Sequence, residues 1–256
     1  MSLAADIILM QRLADAARAV IAPYFRNLPD VDRKADLSPV TAADKGAETA
    51  MRVILERDRP GDGIIGEEFA PRRAQSGRIW VLDPIDGTRG FIAGRPLYGT
   101  LIGLIEDGRP ILGMIDSGAA GDRWLGCLVG KPFTQLNGRP VRARSCARLA
   151  DAHGATTGPN LFSASGHAAF QRIANASRDM LLGGDCHNYG LLATGGLDYV
   201  MEEGLKIHDW AALVPVVVGA GGVMTDWGGQ PLGIQSEGRV FAAGDPRVHA
   251  DALEHM

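Results

Sequence analysis

Four apolar residues, Ile79-Trp80-Val81-Leu82, run directly into Asp83-Pro84-Ile85-Asp86-Gly87-Thr88-Arg89-Gly90-Phe91, and this junction constrains the fold more than any other stretch. The apolar run reads as a buried strand, so two acids stand at the edge of a hydrophobic sheet, where unpaired charge is expensive. Something cationic has to compensate. Pro84 fixes its own φ and drives Asp83 towards extended geometry, so Asp83 closes the strand while Ile85 and Asp86 turn back. Gly87 can bring bare backbone up to a ligand. A helix opening at Thr88 would turn the amides of Gly87 and Thr88 towards an anion, with the helix dipole assisting. Taken alone, the same residues also suit a strand, an Asp-Gly turn and an N-cap.

Upstream, Leu3 to Phe25 carries apolar residues at helical spacing, among them Met10, Leu13, Ala17 and Ile21, and predicts an amphipathic core helix. A loop from Leu28 to Leu37 follows, and Ser38 to Asp44 opens a second helix that runs to about Asp58. Thr41 and Asp44 fit a capping box, which gives Asp44 a structural role, with a place near a metal as the alternative. Gly63 to Gly66 is a short strand that ends in Glu67 and Glu68, adjacent acids that a strand points to opposite faces, so only one of them faces a site. Downstream, Tyr98 to Ile105, Asp107-Gly108 and Pro110 to Ile115 predict a hairpin, Trp124 to Val129 another strand, and Asn137-Gly138 a turn. From about residue 142 the pattern changes to helices alternating with short strands. Helices are expected over 165–177, 187–194, 208–220 and 246–254, with strands over 197–202, 223–225 and 239–243. Two subdomains are therefore expected, 1–141 and 142–256.

At 256 residues and 46% hydrophobic, the chain has ample material for a packed core. Its net charge of −4 and lack of a basic run argue against a nucleic-acid partner. The longest apolar stretch, Ala211 to Met224, contains Pro215 and is too short to span a bilayer, and charged residues throughout the first helix argue against a signal peptide. Cys127, Cys146 and Cys186 have neither disulfide-framework nor zinc spacing, so a reducing, cytoplasmic setting is expected, with no membrane association.

Glu67, the pair Asp83 and Asp86, and Asp209 share one oddity: each stands where a strand ends or a helix begins. Four carboxylates in one cavity are untenable without divalent cations, and hard oxygen donors of this kind suit Mg²⁺ or Mn²⁺. The natural chemistry is metal-assisted phosphoryl hydrolysis.

In order and spacing, Gly66-Glu67-Glu68, Asp83 to Thr88, and Asp209-Trp210-Ala211-Ala212 running to Ala220-Gly221-Gly222 resemble the hallmarks of the inositol-monophosphatase family. The resemblance covers nearly the whole chain. It implies a layered α-β-α-β-α sandwich, a homodimer, and a Mg²⁺-dependent phosphatase of small phosphorylated metabolites with two or three ions, for which Mn²⁺ can substitute. It implies that Glu67, Asp83 and the Ile85 carbonyl hold a first metal, and Asp83, Asp86 and Asp209 a second. A weaker third would sit by Glu67 with Asp44 nearby. Glu67 and Thr88 would orient the attacking water, and the Gly87 and Thr88 amides would hold the phosphate. Thr88-Arg89-Gly90-Phe91 with Gly94-Arg95-Pro96, Gly183-Gly184-Asp185 and Glu202 to Lys206 are most similar to the histidinol-phosphate phosphatase branch, an inositol-1-monophosphatase or other small-polyol or nucleotide phosphatase being the alternative and a noncatalytic binding protein on the same fold the alternative of another class. Histidinol carries an amine and an imidazole, so acids lining the pocket would help. Asp185, Glu202 and Asn188 are the candidates, against a helix cap for Asp185 and an exposed strand end for Glu202. Lys34 could face phosphate or be a solvated loop lysine, and His187 and His208 are read mainly as structural.

Overall fold

The computed structural model describes residues 2–27, 31–33 and 39–256. Helix α1 (Leu3–Ile21) starts at Ser2, whose hydroxyl accepts from the Ala5 amide, and tightens into a single 3₁₀ turn over Ala22–Tyr24. The helix thus stops short of Phe25, because Pro23 has no amide to continue the ladder. Where a loop and an early helix start were expected, β1 (Val31–Arg33) and β2 (Pro39–Thr41) form an antiparallel ribbon, and α2 spans Ala42–Asp58. Lys34 and the capping side chain of Thr41 lie outside the described residues.

Seven strands then build one sheet in sequence order: β3 (Gly63–Gly66), β4 (Arg78–Asp86), β5 (Gly99–Glu106), β6 (Arg109–Ser117), β7 (Asp122–Cys127), β8 (Phe133–Leu136) and β9 (Arg139–Val141). Its β3–β4 pair is parallel and its other pairs are antiparallel. A one-turn helix, α3 (Thr88–Ile92), bridges β4 and β5. The Asp107-Gly108 and Asn137-Gly138 turns carry positive φ at both residues, the geometry that two-residue hairpins require.

Residues 142–152 carry the chain to a second sheet. It contains β10 (His153–Thr156), β11 (Asp179–Leu182), β12 (Tyr199–Glu202), β13 (Val223–Thr225) and β14 (Val240–Ala243), in the order β11-β10-β12-β14-β13. Strand β10 runs parallel to both its neighbours. The helices of this half are α4 (Ala164–Ala176), α5 (His187–Ala193), α6 (Ile207–Trp210), α7 (Leu213–Gly219) and α8 (Pro246–Leu253). The single helix expected over 208–220 is two, α6 and α7. Pro215 lacks an amide and its ring clashes with the carbonyl four residues back, which breaks the run at Ala211-Ala212. That break is packed rather than loose: a Cβ on Gly113 of β6 would stand 2.0 Å from the Ala212 carbonyl oxygen.

Three apolar cores separate the layers. Met10, Leu13, Met51 and Leu55 of α1 and α2 cover Trp80, Leu82 and Ile102 on the outer face of the first sheet. Tyr189, Trp210 and Val216 of α5, α6 and α7 fill the space between the sheets, against Trp124 on one and Val200 on the other. Phe170 of α4 and Val248 of α8 cover the outer face of the second sheet with Tyr199 and Phe241. The order is α-β-α-β-α. Among the described residues no helix is long and apolar enough to cross a membrane.

Candidate active site

Strand β4 does not close at Asp83, as its sequence suggests, but bulges and pairs once more at Asp86. Pro84 has no amide for the ladder, so pairing lapses between Asp83↔Leu101 and Asp86↔Gly99. The Thr100 hydroxyl donates to the freed Pro84 carbonyl at 2.8 Å. Asp83 and Asp86 are thereby brought near Asp209, and one carboxylate oxygen from each of the three lies within 4.8 Å of the other two. The Cys186 amide donates to Asp86 at 2.6 Å, and the Lys206 amide to Asp209 at 2.6 Å. Asp83 is 1% exposed, and its Oδ1 has no hydrogen-bond partner among the described residues.

Burial pushes the Asp83 carboxyl well above its ordinary range, reinforced by the charges of Glu67, Asp86, Asp209 and Asp44. Asp86 is raised by burial and then by Asp185 and Asp209, with Cys186 pulling the other way. Asp209 is raised by burial, against a nearby His208 whose Nε2 stands 3.7 Å from its Oδ1. An orphaned buried carboxylate oxygen at the centre of mutually repelling acids is what a divalent cation satisfies, and the all-oxygen donor set suits a hard ion.

Glu67 follows β3, and its amide donates to the Leu82 carbonyl at 3.2 Å, which sets it alongside the end of β4. The amide of Glu68 instead donates to Glu48 Oε2 at 2.8 Å, while Arg52 Nε holds Glu48 Oε1 at 2.7 Å. Glu48 is fully buried and lies so close that a Cβ on Gly66 would stand 1.9 Å from its Oε1. The glycine before the two acids is therefore a packing requirement. Gly66→Ala should cost about 1–3 kcal/mol through overpacking and displace Glu67; a urea titration matching wild type would contradict this contact. Asp44 is buried in the first turn of α2, within electrostatic reach of Asp83.

Gly87, at φ 82°, caps α3, so the amides of Gly87 and Thr88 lie at the start of a helix, where amides have no intrahelical partner. With only five residues, α3 adds little dipole. The Thr88 hydroxyl donates to the Ile85 carbonyl at 2.9 Å. Across from Gly87 stands Asp185, whose Cγ would be 3.1 Å from a Cβ on Gly87. Three successive residues with positive φ, Gly183, Gly184 and Asp185, present this carboxylate, and Asn188 Nδ2 pins the turn by donating to the Gly183 carbonyl at 3.0 Å. Helix α5 has no side-chain cap, so Asp185 does not serve as one. Burial pushes its carboxyl up to about 6, against the lowering charges of Arg95 and Arg89.

These groups border a cavity of about 360 Å³ whose wall includes Glu67, Gly87, Thr88, Arg89, Arg95, Thr157, Asn160 and Asp185. Glu202 is not an exposed strand end: it is 2% exposed and receives hydrogen bonds from Thr156 and Thr157. Asn188 is turned towards the Gly183 carbonyl. His187 points at Ser117, lies edge-on to Trp124 and has its Nε2 4.0 Å from Asp122 Oδ2. Sequence reasoning missed Thr157, Asn160, Arg95 and Glu48. Arg95 was visible only as part of a motif, and the other three carry no local signal.

The chain matches the model of the inositol monophosphatase family over residues 5–256. It is 44% identical over 253 residues to the chloroplastic bifunctional phosphatase IMPL2 of Arabidopsis thaliana, covering 95% of this chain and 72% of that protein. It is 36% identical over 231 residues to the histidinol-phosphatase of Mycobacterium tuberculosis, covering 88% of each. Among solved structures, an inositol monophosphatase from Zymomonas mobilis is 52% identical and matches with a TM-score of 0.91, over 100% of this chain and 98% of that one. A family model spanning almost every residue and a shared fold at this identity lead to one conclusion: the chain belongs to the inositol monophosphatase family and is a phosphatase.

Proposed function

We propose that the protein is a Mg²⁺-dependent phosphomonoesterase, active as a homodimer, that converts L-histidinol phosphate and water to L-histidinol and phosphate. The observation that carries the chemistry is the convergence of Asp83, Asp86 and Asp209 around an orphaned buried oxygen. Glu67, Asp83, Asp86, Asp209 and the Ile85 carbonyl would hold two Mg²⁺ ions, with a third, weaker one near Asp44. Bound there, the ions would lower the pKa of water and neutralise charge developing on the leaving oxygen. The Thr88 hydroxyl spends its one hydrogen bond as donor on the Ile85 carbonyl, so it offers lone pairs and, with Glu67, accepts hydrogen bonds from the attacking water. The Gly87 and Thr88 amides donate to the phosphate and fix it for in-line attack. Residues 1–141 supply most of this machinery, and 142–256 supply Asp209 and the wall that meets the leaving group.

Specificity rests on Asp185. A carboxylate held in a left-handed backbone conformation beside the phosphate-side glycine is an acceptor for the histidinol ammonium. Identity to the Zymomonas mobilis inositol monophosphatase favours the rival substrate, inositol monophosphate. Side-by-side turnover separates the two, and a tenfold or greater preference for inositol phosphate would overturn the histidinol assignment. In the same assay, Asp185→Ala should raise KM for histidinol phosphate by about tenfold or more, the worth of a charge-assisted hydrogen bond of about 1.5–3 kcal/mol. KM for p-nitrophenyl phosphate should rise far less; equal increases would reduce Asp185 to a support for its loop.

A further inference from the structure

Glu202, a candidate substrate ligand by sequence, is buried against the side chains of Thr156 and Thr157. Strand β10 ends at Thr156 beside β12, which places Thr157 next to the end of β12, where Glu202 sits. Glu202 Oε1 accepts from the Thr157 amide at 2.7 Å and from the Thr157 hydroxyl at 2.8 Å, and Oε2 accepts from the Thr156 hydroxyl at 3.3 Å. Thr157 is half-buried and lines the cavity together with Asp185 and Asn160.

A hydroxyl has one proton and two lone pairs, whereas Glu202 Oε1, which already takes the Thr157 amide proton as a hydrogen-bond acceptor, only accepts. With its proton committed to Glu202, Thr157 has only lone pairs left to offer the cavity. Without Glu202, the same hydroxyl could rotate and present either a donor or an acceptor. The buried acid thus converts an ambivalent side chain into a fixed acceptor, next to Asp185, which is also an acceptor when ionised.

We propose that Thr157 is a specificity-determining residue whose hydroxyl reads a hydrogen-bond donor on the leaving group, an ammonium, ring N–H or hydroxyl, and that Glu202 is a positioning residue acting through Thr157. This rests on the cavity receiving the leaving group of a phosphate monoester, whichever ester that is. A leaving group without donors gains nothing from the arrangement. A donor-bearing one gains a directed hydrogen bond without having to reorient the hydroxyl.

The test compares L-histidinol phosphate and inositol 1-phosphate, both rich in donors, with p-nitrophenyl phosphate, whose leaving group offers none in its ring substituent. Thr157→Val keeps the side-chain volume and the hydrogen bond from the residue-157 amide to Glu202 and replaces only the hydroxyl, by a methyl. Its KM increase should be at least fivefold larger for the preferred donor-bearing ester than for the aryl ester, and Thr157→Ser should restore most of the loss. Glu202→Gln and the Thr157→Val/Glu202→Gln double variant complete a cycle. If Glu202 works through Thr157, the double variant is no worse than Thr157→Val alone. Additive KM increases would show direct contact between Glu202 and substrate, and a Thr157→Val variant that shifts all three esters equally, or none, would overturn the assignment. A wild-type preference for inositol phosphate would remove the histidinol reading but leave this comparison intact, because both esters carry donors.

Discussion

Asp83→Asn is expected to lower kcat/KM for every phosphate monoester by about a thousandfold or more, the scale on which loss of a key electrostatic group acts, while the metal-free protein stays folded. The two halves of this result have one cause. Asp83 is buried, its Oδ1 has no hydrogen-bond partner among the described residues, and its charge is opposed by Glu67, Asp86, Asp209 and Asp44. Burial and the neighbouring acids both disfavour the carboxylate, and a bound cation would compensate it. Asparagine has the same shape and no charge, so it relieves repulsion without leaving a void. A residue kept for stability would show the reverse pattern, with the fold weakened along with the activity. Turnover of p-nitrophenyl phosphate, titration of Mg²⁺ by calorimetry and a thermal melt in EDTA read the three parts separately. Activity within tenfold of wild type at saturating Mg²⁺ would sink the site assignment. Asp209→Asn should follow the same pattern, because an amide oxygen can still accept from the Lys206 amide.

Much of this site was legible before any coordinates, because its chemistry violates the rules that govern ordinary strands. Acids directly after Ile79 to Leu82 and after Gly63 to Gly66 are costly at the end of a buried strand, and that signal is local. The hairpin turns were equally legible, since Asp107-Gly108 and Asn137-Gly138 have few conformations open to them. What escaped was decided by partners far away in sequence. Strands β10 and β11 are short and pair in parallel across a helix, so neither shows a turn signal of its own. The break between α6 and α7 could have been read from Pro215, but the stretch is so apolar that periodicity masks it. Glu202 looks like any acid at a strand end until Thr156 and Thr157, 45 or more residues earlier, close over it. Gly66 is similar: its need for hydrogen in place of a Cβ is set by Glu48, which no spacing rule connects to it.

Removal of divalent metal is expected to make stability strongly pH-dependent, with the metal-free protein melting at a lower temperature at pH 8 than at pH 5.5. Asp83, Asp86 and Asp209 are raised by burial, aided by neighbouring acids, while Asp185 is pushed up to about 6 and Glu202 to about 7. Acids raised on folding bind protons more tightly in the native than in the unfolded chain. The stability they confer is complete below their unfolded values, near 4, and is lost as pH rises through the raised ones, so the loss runs from about pH 4.5 to above 7. Asp58 and Asp245, held at about 2 by Arg57 and Arg12 and by Arg247, have the opposite sign but weaken only below about pH 4, whereas His187 and His249, lowered by burial, oppose the trend within this window and are outnumbered by the raised acids. Mg²⁺ competes with those protons, so its stabilisation should grow with pH. At a hundred times its dissociation constant, a ligand adds about 2.7 kcal/mol, or about 5–10 °C in Tm for a chain of this size. A Mg²⁺-induced shift as large at pH 5.5 as at pH 8, or none at either, would contradict a site built from raised carboxylates. Asp83→Asn should flatten the pH dependence and shrink the Mg²⁺ shift together, because the group that repels its neighbours without metal is the one proposed to hold it.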